Sequence, residues 1–418
     1  MPCTRWLELV HAYRVLLEDR RYRRLWGSLL LVMLADEFVR TLLIWHVYAA
    51  TGSSEAVGWL MVCFTGPVIV GGLVAGWLLD RFPRARVMAS DAALRTIALV
   101  LTGVALAAGV GGLVPLYVIA TVQGALTMVL LGGAPAAVAE LVRPETRSAA
   151  NALEMLGFMG AAAVGPLLAG VLAERVPIAG ALVLAALCYA AFGLLIRTMS
   201  IGGGARGAGA TPIRWRDSGV LQPTVAIITV MFLIVNIGSG AVAVFLPVLV
   251  DQGLGRGGGT YGMLLAVIGV GGAIGALAAG AVPATARLPA AVAVMQILGG
   301  LAIMPAALLL ASGHLTVGST VACLFVFGVV TGPHTVWAQT IRMRFIPPQW
   351  RGRAFATLRM IMQSGRPIGG GIGGLAVAAA PVSLCMIVAG GVICLPAILA
   401  LFHPAMNRRL PEIRDTPA

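Results

Sequence analysis

The chain contains no lysine: every one of its 29 basic residues is an arginine. Charged residues of both signs amount to only 11%, against about 25% in an ordinary soluble domain. A chain of 418 residues with so little charge cannot present a conventional water-soluble surface. The absence of lysine is a compositional preference rather than a chemical one. The six cysteines, Cys3, Cys63, Cys188, Cys323, Cys385 and Cys394, show neither metal-ligand spacing nor a neighbouring pair, and they read as small apolar packing residues. Aromatic residues, at 6%, argue against a dedicated aromatic pocket for an organic cation. P-loop, HExxH and nucleophile motifs are missing, as is any soluble extension able to house an ATPase. The sequence therefore implies no cofactor, no metal and no enzyme. Any work the chain does must draw on an ion gradient or a concentration gradient.

What is present is apolar: 59% hydrophobic residues and a mean hydropathy of +0.95. Runs of about 20 apolar residues each cross a hydrocarbon core of ~30 Å. The pattern predicts an all-α membrane protein with twelve transmembrane helices, roughly at 25–50, 57–79, 87–111, 113–140, 149–172, 177–197, 223–250, 260–282, 289–312, 315–343, 353–378 and 382–403. The 54 glycines fit close packing between such helices. No cleavable signal peptide is expected, because residues 1–24 are too charged and the first apolar run is a full span. Arginines crowd alternate loops, with six before the first span and three between Asp80 and Arg86, whereas the opposite loops hold only Arg175 and Arg256. The positive-inside rule then places both termini in the cytoplasm of a cell (inner) membrane protein. The net charge of +13 is thus topological, and no nucleic-acid partner is implied.

Residues 198–222, rich in glycine, read as a cytoplasmic linker between two six-helix halves, 25–197 and 223–403, with a tail at 404–418. Pro144-Glu145-Thr146-Arg147 before the fifth span and Pro348-Gln349-Trp350-Arg351 before the eleventh occupy matching places in the two halves. Such correspondence describes the paired-repeat plan of secondary transporters. In residues 1–24, Trp6, Leu7, Leu9, Val10, Tyr13, Leu16 and Leu17 alternate with Arg and Glu, which suits either an amphipathic helix on the cytoplasmic membrane face or a partly ordered tail.

Ionisable residues inside spans are costly, so each is a functional candidate. Asp36, Glu37 and Arg40 lie near the middle of the first span. Asp36 and Arg40 are four apart and share a helix face, which predicts a pair. Glu37, rotated by roughly 100°, is left without that local partner. A buried carboxylate without a counter-charge can hold a proton, so Glu37 is the first candidate for proton coupling and Asp36 the second. Asp91 and Arg95 form another i, i+4 pair, read as structural. Glu154, Asn236, His334 and Arg366 are candidates for a substrate cavity or an interface. His46 and His334 read more readily as satisfied membrane histidines than as proton relays. Asn151, Gln123, Gln296, Gln339 and Gln363 can bond a substrate or hold helices together.

Two motifs go further. Gly76-Trp77-Leu78-Leu79-Asp80-Arg81-Phe82-Pro83-Arg84-Ala85-Arg86 joins the second and third spans. It resembles the loop between helices 2 and 3 of the major facilitator superfamily, roughly G-x-L-x-D-R-x-G-R-[KR]. Gly76, Leu78, Asp80, Arg81 and Arg84 fit, Pro83 stands in place of Gly, and Ala85 is not basic. In the fifth span, Gly165-Pro166-Leu167-Leu168-Ala169-Gly170 is similar to the end of that superfamily's antiporter motif, G-P-x-x-G-G, with Ala169 in place of one Gly. Leu141-Val142-Arg143-Pro144, Ala150-Asn151-Ala152-Leu153, Arg351-Gly352-Arg353-Ala354-Phe355, Arg24-Leu25-Trp26-Gly27-Ser28 and Thr51-Gly52-Ser53-Ser54 look like the bacterial exporter branch that includes enterobactin and macrolide efflux proteins. The resemblance implies the twelve-helix major facilitator fold and a monomeric proton antiporter exporting a drug, macrolide, siderophore or secreted metabolite. It also implies a cytoplasmic gate at Gly76, Asp80, Arg81 and Arg84, and an antiporter motif at Gly165, Pro166 and Gly170. Exporters of this branch often carry Gly-Asp where this chain has Ala35-Asp36, which draws the proton role toward Asp36. An uptake permease would share every span without requiring the Gly165-Pro166 motif.

Overall fold

A computed structural model describes residues 13–143, 146–199, 201, 219–281, 287–347 and 351–407. Trp6, Leu7, Leu9 and Val10 lie outside the described residues, as do most of the expected linker and most of the tail. Among the described residues every regular element is helical. Residues 13–18 form a short helical stretch ahead of α1 (Arg20–Thr51). There follow α2 (Ser54–Thr65), α3 (Val68–Arg81), α4 (Arg84–Ala107), α5 (Val114–Leu141), α6 (Arg147–Arg175) and α7 (Ile178–Arg197). Then come α8 (Pro223–Val248), α9 (Gly258–Ala281), α10 (Leu288–Ala311), α11 (Val317–Phe345), α12 (Arg351–Gln363), α13 (Gly365–Ala379) and α14 (Val382–Leu401).

These helices form the twelve rods that hydropathy predicts, two of them interrupted. The second rod breaks between α2 and α3 at Gly66–Pro67, and the eleventh breaks at Ser364, between α12 and α13. Proline explains both. Pro67 supplies no N–H to the turn before it, and the ring of Pro367 opposes the carbonyl four residues earlier, at Gln363. Among the described residues, ten helices are long and apolar enough to cross a membrane. The first rod carries Asp36, Glu37 and Arg40 together, too much charge for an apolar span, and the break at Ser364 leaves α12 with 13 residues and α13 with 15, each short of a full crossing. Side chains such as Leu73, Leu101, Leu187, Leu277 and Leu395 stand exposed on their helices, an arrangement that lipid stabilises and water does not.

The chain divides into two compact units, residues 1–47 with 63–210, and residues 48–62 with 211–418. Both are assembled by the same pairings. In the first, α3 packs on α5 and α4 on α7; in the second, α9 packs on α11 and α10 on α14. In the first unit α1 runs against α6, Tyr22 donating to the Ala150 carbonyl at 3.3 Å and Trp26 to the Leu153 carbonyl at 2.9 Å. In the second, α8 runs against α13, where the Ile237 carbonyl fills the space that a side chain at Gly369 would need. The corresponding helices of each repeat therefore make corresponding contacts.

Candidate functional site

The first unit holds a buried polar cluster built from four helices. Asp36 on α1, Asp91 and Arg95 on α4, Gln123 on α5 and Tyr189 on α7 converge. Arg95 is its centre. Its Nη1 donates to Asp36 Oδ1 at 2.8 Å and to Gln123 Oε1 at 2.6 Å, and its Nε donates to Asp91 Oδ2 at 3.1 Å. The Tyr189 hydroxyl donates to Asp36 Oδ1 and accepts from Gln123 Nε2 at 3.2 Å, while the guanidinium lies over the Tyr189 ring, 5.4 Å from its centroid. Arg95, Gln123 and Tyr189 are buried, whereas the Asp36 side chain is 28% exposed. Asp36 is thus the cluster's accessible acid. The rest of the cluster forms a buried, hydrogen-bonded wall behind it.

This geometry corrects the local pairing expected in α1. Arg40 pairs with Glu37, one turn back, and Asp36 pairs with Arg95. Both spacings suit a helix, so i, i+3 and i, i+4 could not be separated without the tertiary partner. Arg95 takes Asp36, which leaves Arg40 to Glu37. The Asp91–Arg95 pair is likewise more than a structural clasp within one helix, because it extends to α1, α5 and α7. Tyr189 carried no sequence signal beyond a polar tip in an apolar span, and Gln123 stood among several scattered amides.

The antiporter-like motif meets α1 at this level. A Cβ at Gly165 would lie 2.7 Å from the Glu37 Cβ and 3.1 Å from the Phe38 nitrogen. Glycine here lets α6 touch the backbone of α1 beside the acids. Pro166 sits inside α6, and Pro166 and Gly170 are buried. Glu154 lies on the same helix, half-buried, one turn beyond Ala150.

In the hairpin at 80–86, α3 ends at Arg81, the Phe82 N–H closes on the Leu78 carbonyl, and α4 starts at Arg84. Pro83, where the family pattern has Gly, has φ −55° and ψ 125°, a conformation proline favours, so glycine's freedom is unnecessary. Gly76 and Asp80 are exposed, and Arg81 lies over the Trp77 ring at 5.6 Å. Arg84 donates to Glu140 on α5 at 3.3 Å. Arg84 thus reaches an acid, Glu140, that lies outside the hairpin.

In the second unit, Arg366 on α13 donates to Asn236 Oδ1 on α8 at 3.0 Å, and Asn236 donates to the Phe232 carbonyl at 2.9 Å. The glycine-lined contact of α13 with α8 brings these two side chains together within the second unit. His334, buried, lies 3.2 Å from Gln296 Oε1 and stacks on Phe232, whose ring Arg342 approaches at 4.6 Å. Arg342, in the last turn of α11, is itself 4% exposed. A cavity of about 300 Å³ in this unit is lined by Ser54, Glu55, Gln252 and Pro381, among others, and by none of Asn236, His334 or Arg366. Among the described residues no cluster of His, Cys, Asp and Glu could hold a metal.

Comparison with known proteins agrees with this architecture. Residues 25–370 match the profile of the Major Facilitator Superfamily. Over 379 residues the chain is 27% identical to "Uncharacterized MFS-type transporter y4rN" of Sinorhizobium fredii (strain NBRC 101917 / NGR234), covering 88% of this chain and 90% of that one. Among solved structures, the peptide transporter POT in complex with sulfate superposes with a TM-score of 0.71 at 14% identity, covering 92% of this chain and 94% of that one. The D-xylose-proton symporter superposes with a TM-score of 0.70 at 16% identity, covering 93% and 100%. At these identities the two structures establish the fold alone. The profile, which spans most of the chain, shows that the protein belongs to the Major Facilitator Superfamily, a family of multi-pass membrane transporters and not of enzymes.

Proposed function

We propose that the protein exports small organic molecules in exchange for protons, by alternating access in the cytoplasmic membrane with both termini inside. The observation that carries this reading is the contact of Gly165 with α1 at Glu37. It sets the proline-bearing turn of a helix with an antiporter-like motif against the acids of the first span. Asp36, part-exposed and bonded to Arg95, is the acid we assign to proton exchange. A carboxylate held by a cation and a hydroxyl can lose those bonds on protonation, and such a change biases the packing of α1 on its neighbours. Glu37 and Arg40 then form a supporting pair. The halves 25–197 and 223–403 act as the rocking bodies, and Gly76, Asp80, Arg81 and Arg84 form the cytoplasmic gate. The substrate is a drug, macrolide, siderophore or secreted metabolite.

The test uses everted vesicles with an imposed acid-inside gradient and a panel comprising a macrolide, a catecholate siderophore and a lipophilic amine dye. Proton-dependent accumulation of one of them in the vesicles supports export. Accumulation only in right-side-out vesicles would make the protein an uptake permease.

A further inference from the structure

Two carboxylates share one guanidinium in the first unit, and the structure serves them unequally. Asp36 Oδ1 accepts from both Arg95 and Tyr189, and its side chain is 28% exposed. Asp91 accepts a single bond, from Arg95 Nε, and its side chain is 3% exposed. Among the described residues its Oδ1 is buried with no partner, and so is Arg95 Nη2. Among the described residues, the groups that meet Arg95 beside Asp91 are Asp36 on α1, the neutral Gln123 on α5 and Tyr189 on α7; Arg95 is the cation they share, and Arg40 pairs with Glu37.

If both acids were ionised, the cluster would carry a net negative charge, and a bare carboxylate oxygen would face a low-dielectric interior. A buried charge without a counter-ion or a donor is far more costly than a neutral polar group in the same place. Protonating Asp36 would waste the better-served position, where two donors already meet a carboxylate oxygen. Protonating Asp91 removes the charge where nothing compensates it, and leaves Oδ2 free to accept from Nε.

We propose that Asp91 is held as the neutral acid in this conformation, and that it positions Arg95 through Nε while the guanidinium charge is directed at Asp36. Asp91 is thus a positioning residue for proton exchange, a role that rests on the antiport reading, and it does not itself exchange the transported proton. Its neutrality is what makes Asp36 the acid whose protonation frees Arg95.

Infrared difference spectroscopy of the purified protein in liposomes at neutral pH, with no substrate added, tests the proposal. Wild type minus Asp91→Asn should show the C=O stretch of a protonated carboxylic acid, shifted in D2O. Wild type minus Asp36→Asn should show carboxylate bands instead. The reverse assignment, or only carboxylate bands for Asp91, overturns the proposal. Should Asp91→Asn not purify, carbon-13 aspartate labelling of the wild type decides: a protonated-aspartate band that survives Asp36→Asn supports it, and the absence of one overturns it. As a second readout, Asp91→Asn, which keeps an oxygen for Nε but alters the anchor of the guanidinium, should slow proton-driven transport while leaving it dependent on pH. A folded Asp91→Asn protein with that dependence abolished would make Asp91 an exchanging acid and contradict the assignment. Because the spectra need no substrate, a wild type that fails to couple to protons would overturn the antiport reading alone.

Discussion

Asp36 and Glu37 are neighbours in sequence and opposites in environment. Asp36 reaches Arg95 and Tyr189, whereas Glu37 turns to Arg40 and touches Gly165. Asp36→Asn should therefore insert and fold yet lose transport driven by a pH gradient, while Glu37→Gln should keep the coupling and lose stability. The Glu37–Arg40 pair is partly exposed, so the loss should fall between the ~0–1 kcal/mol of a surface pair and the ~3–5 kcal/mol of breaking a buried one. Parallel measurement of thermal unfolding in detergent and proton-driven transport for both variants checks this. Glu37→Gln uncoupled but as stable as wild type, beside a coupled Asp36→Asn, would reverse the assignment. The sequence made these residues visible as charges in an apolar span. It could not choose their partners, because Arg40 lies within one helical turn of both acids, and the deciding cation stands 59 residues away on another helix.

At the scale of the helix, glycine and proline decide how closely two rods approach and where they bend. Gly165→Val would drive methyl groups into the Glu37 Cβ and the Phe38 backbone, an overpacking that costs about 1–3 kcal/mol and parts α6 from α1. Reduced folded yield with transport abolished is expected, by size-exclusion profile and vesicle assay. Gly160→Val on the same helix, with no atom near its Cβ position, should be tolerated. The hairpin makes a different prediction. Asp80 is exposed, so Asp80→Asn should leave insertion and thermal stability unchanged while slowing transport through the gate; transport at the wild-type rate would remove Asp80 from the latch. Hydropathy and loop arginines revealed the positions of the rods. The breaks at Gly66–Pro67 and Ser364 were less legible, because a membrane helix tolerates many prolines: Pro135, Pro166, Pro247, Pro305, Pro333 and Pro396 all lie inside helices.

For the whole molecule, a twelve-rod chain of this family can move its substrate either way, and the fold does not choose between them. The choice rests on whether proton and substrate cross in opposite directions. Respiring everted vesicles acidify their interior, and an antiporter discharges that gradient when its substrate is added outside. Acridine orange fluorescence reports the discharge directly. With the macrolide, siderophore and amine-dye panel, at least one compound should relieve the quenching in vesicles containing wild-type protein, and none should do so with Asp36→Asn at equal expression. A compound that the wild-type protein moves at the same rate after the proton gradient is collapsed, or that both proteins exchange for protons equally, would contradict proton-coupled export through Asp36.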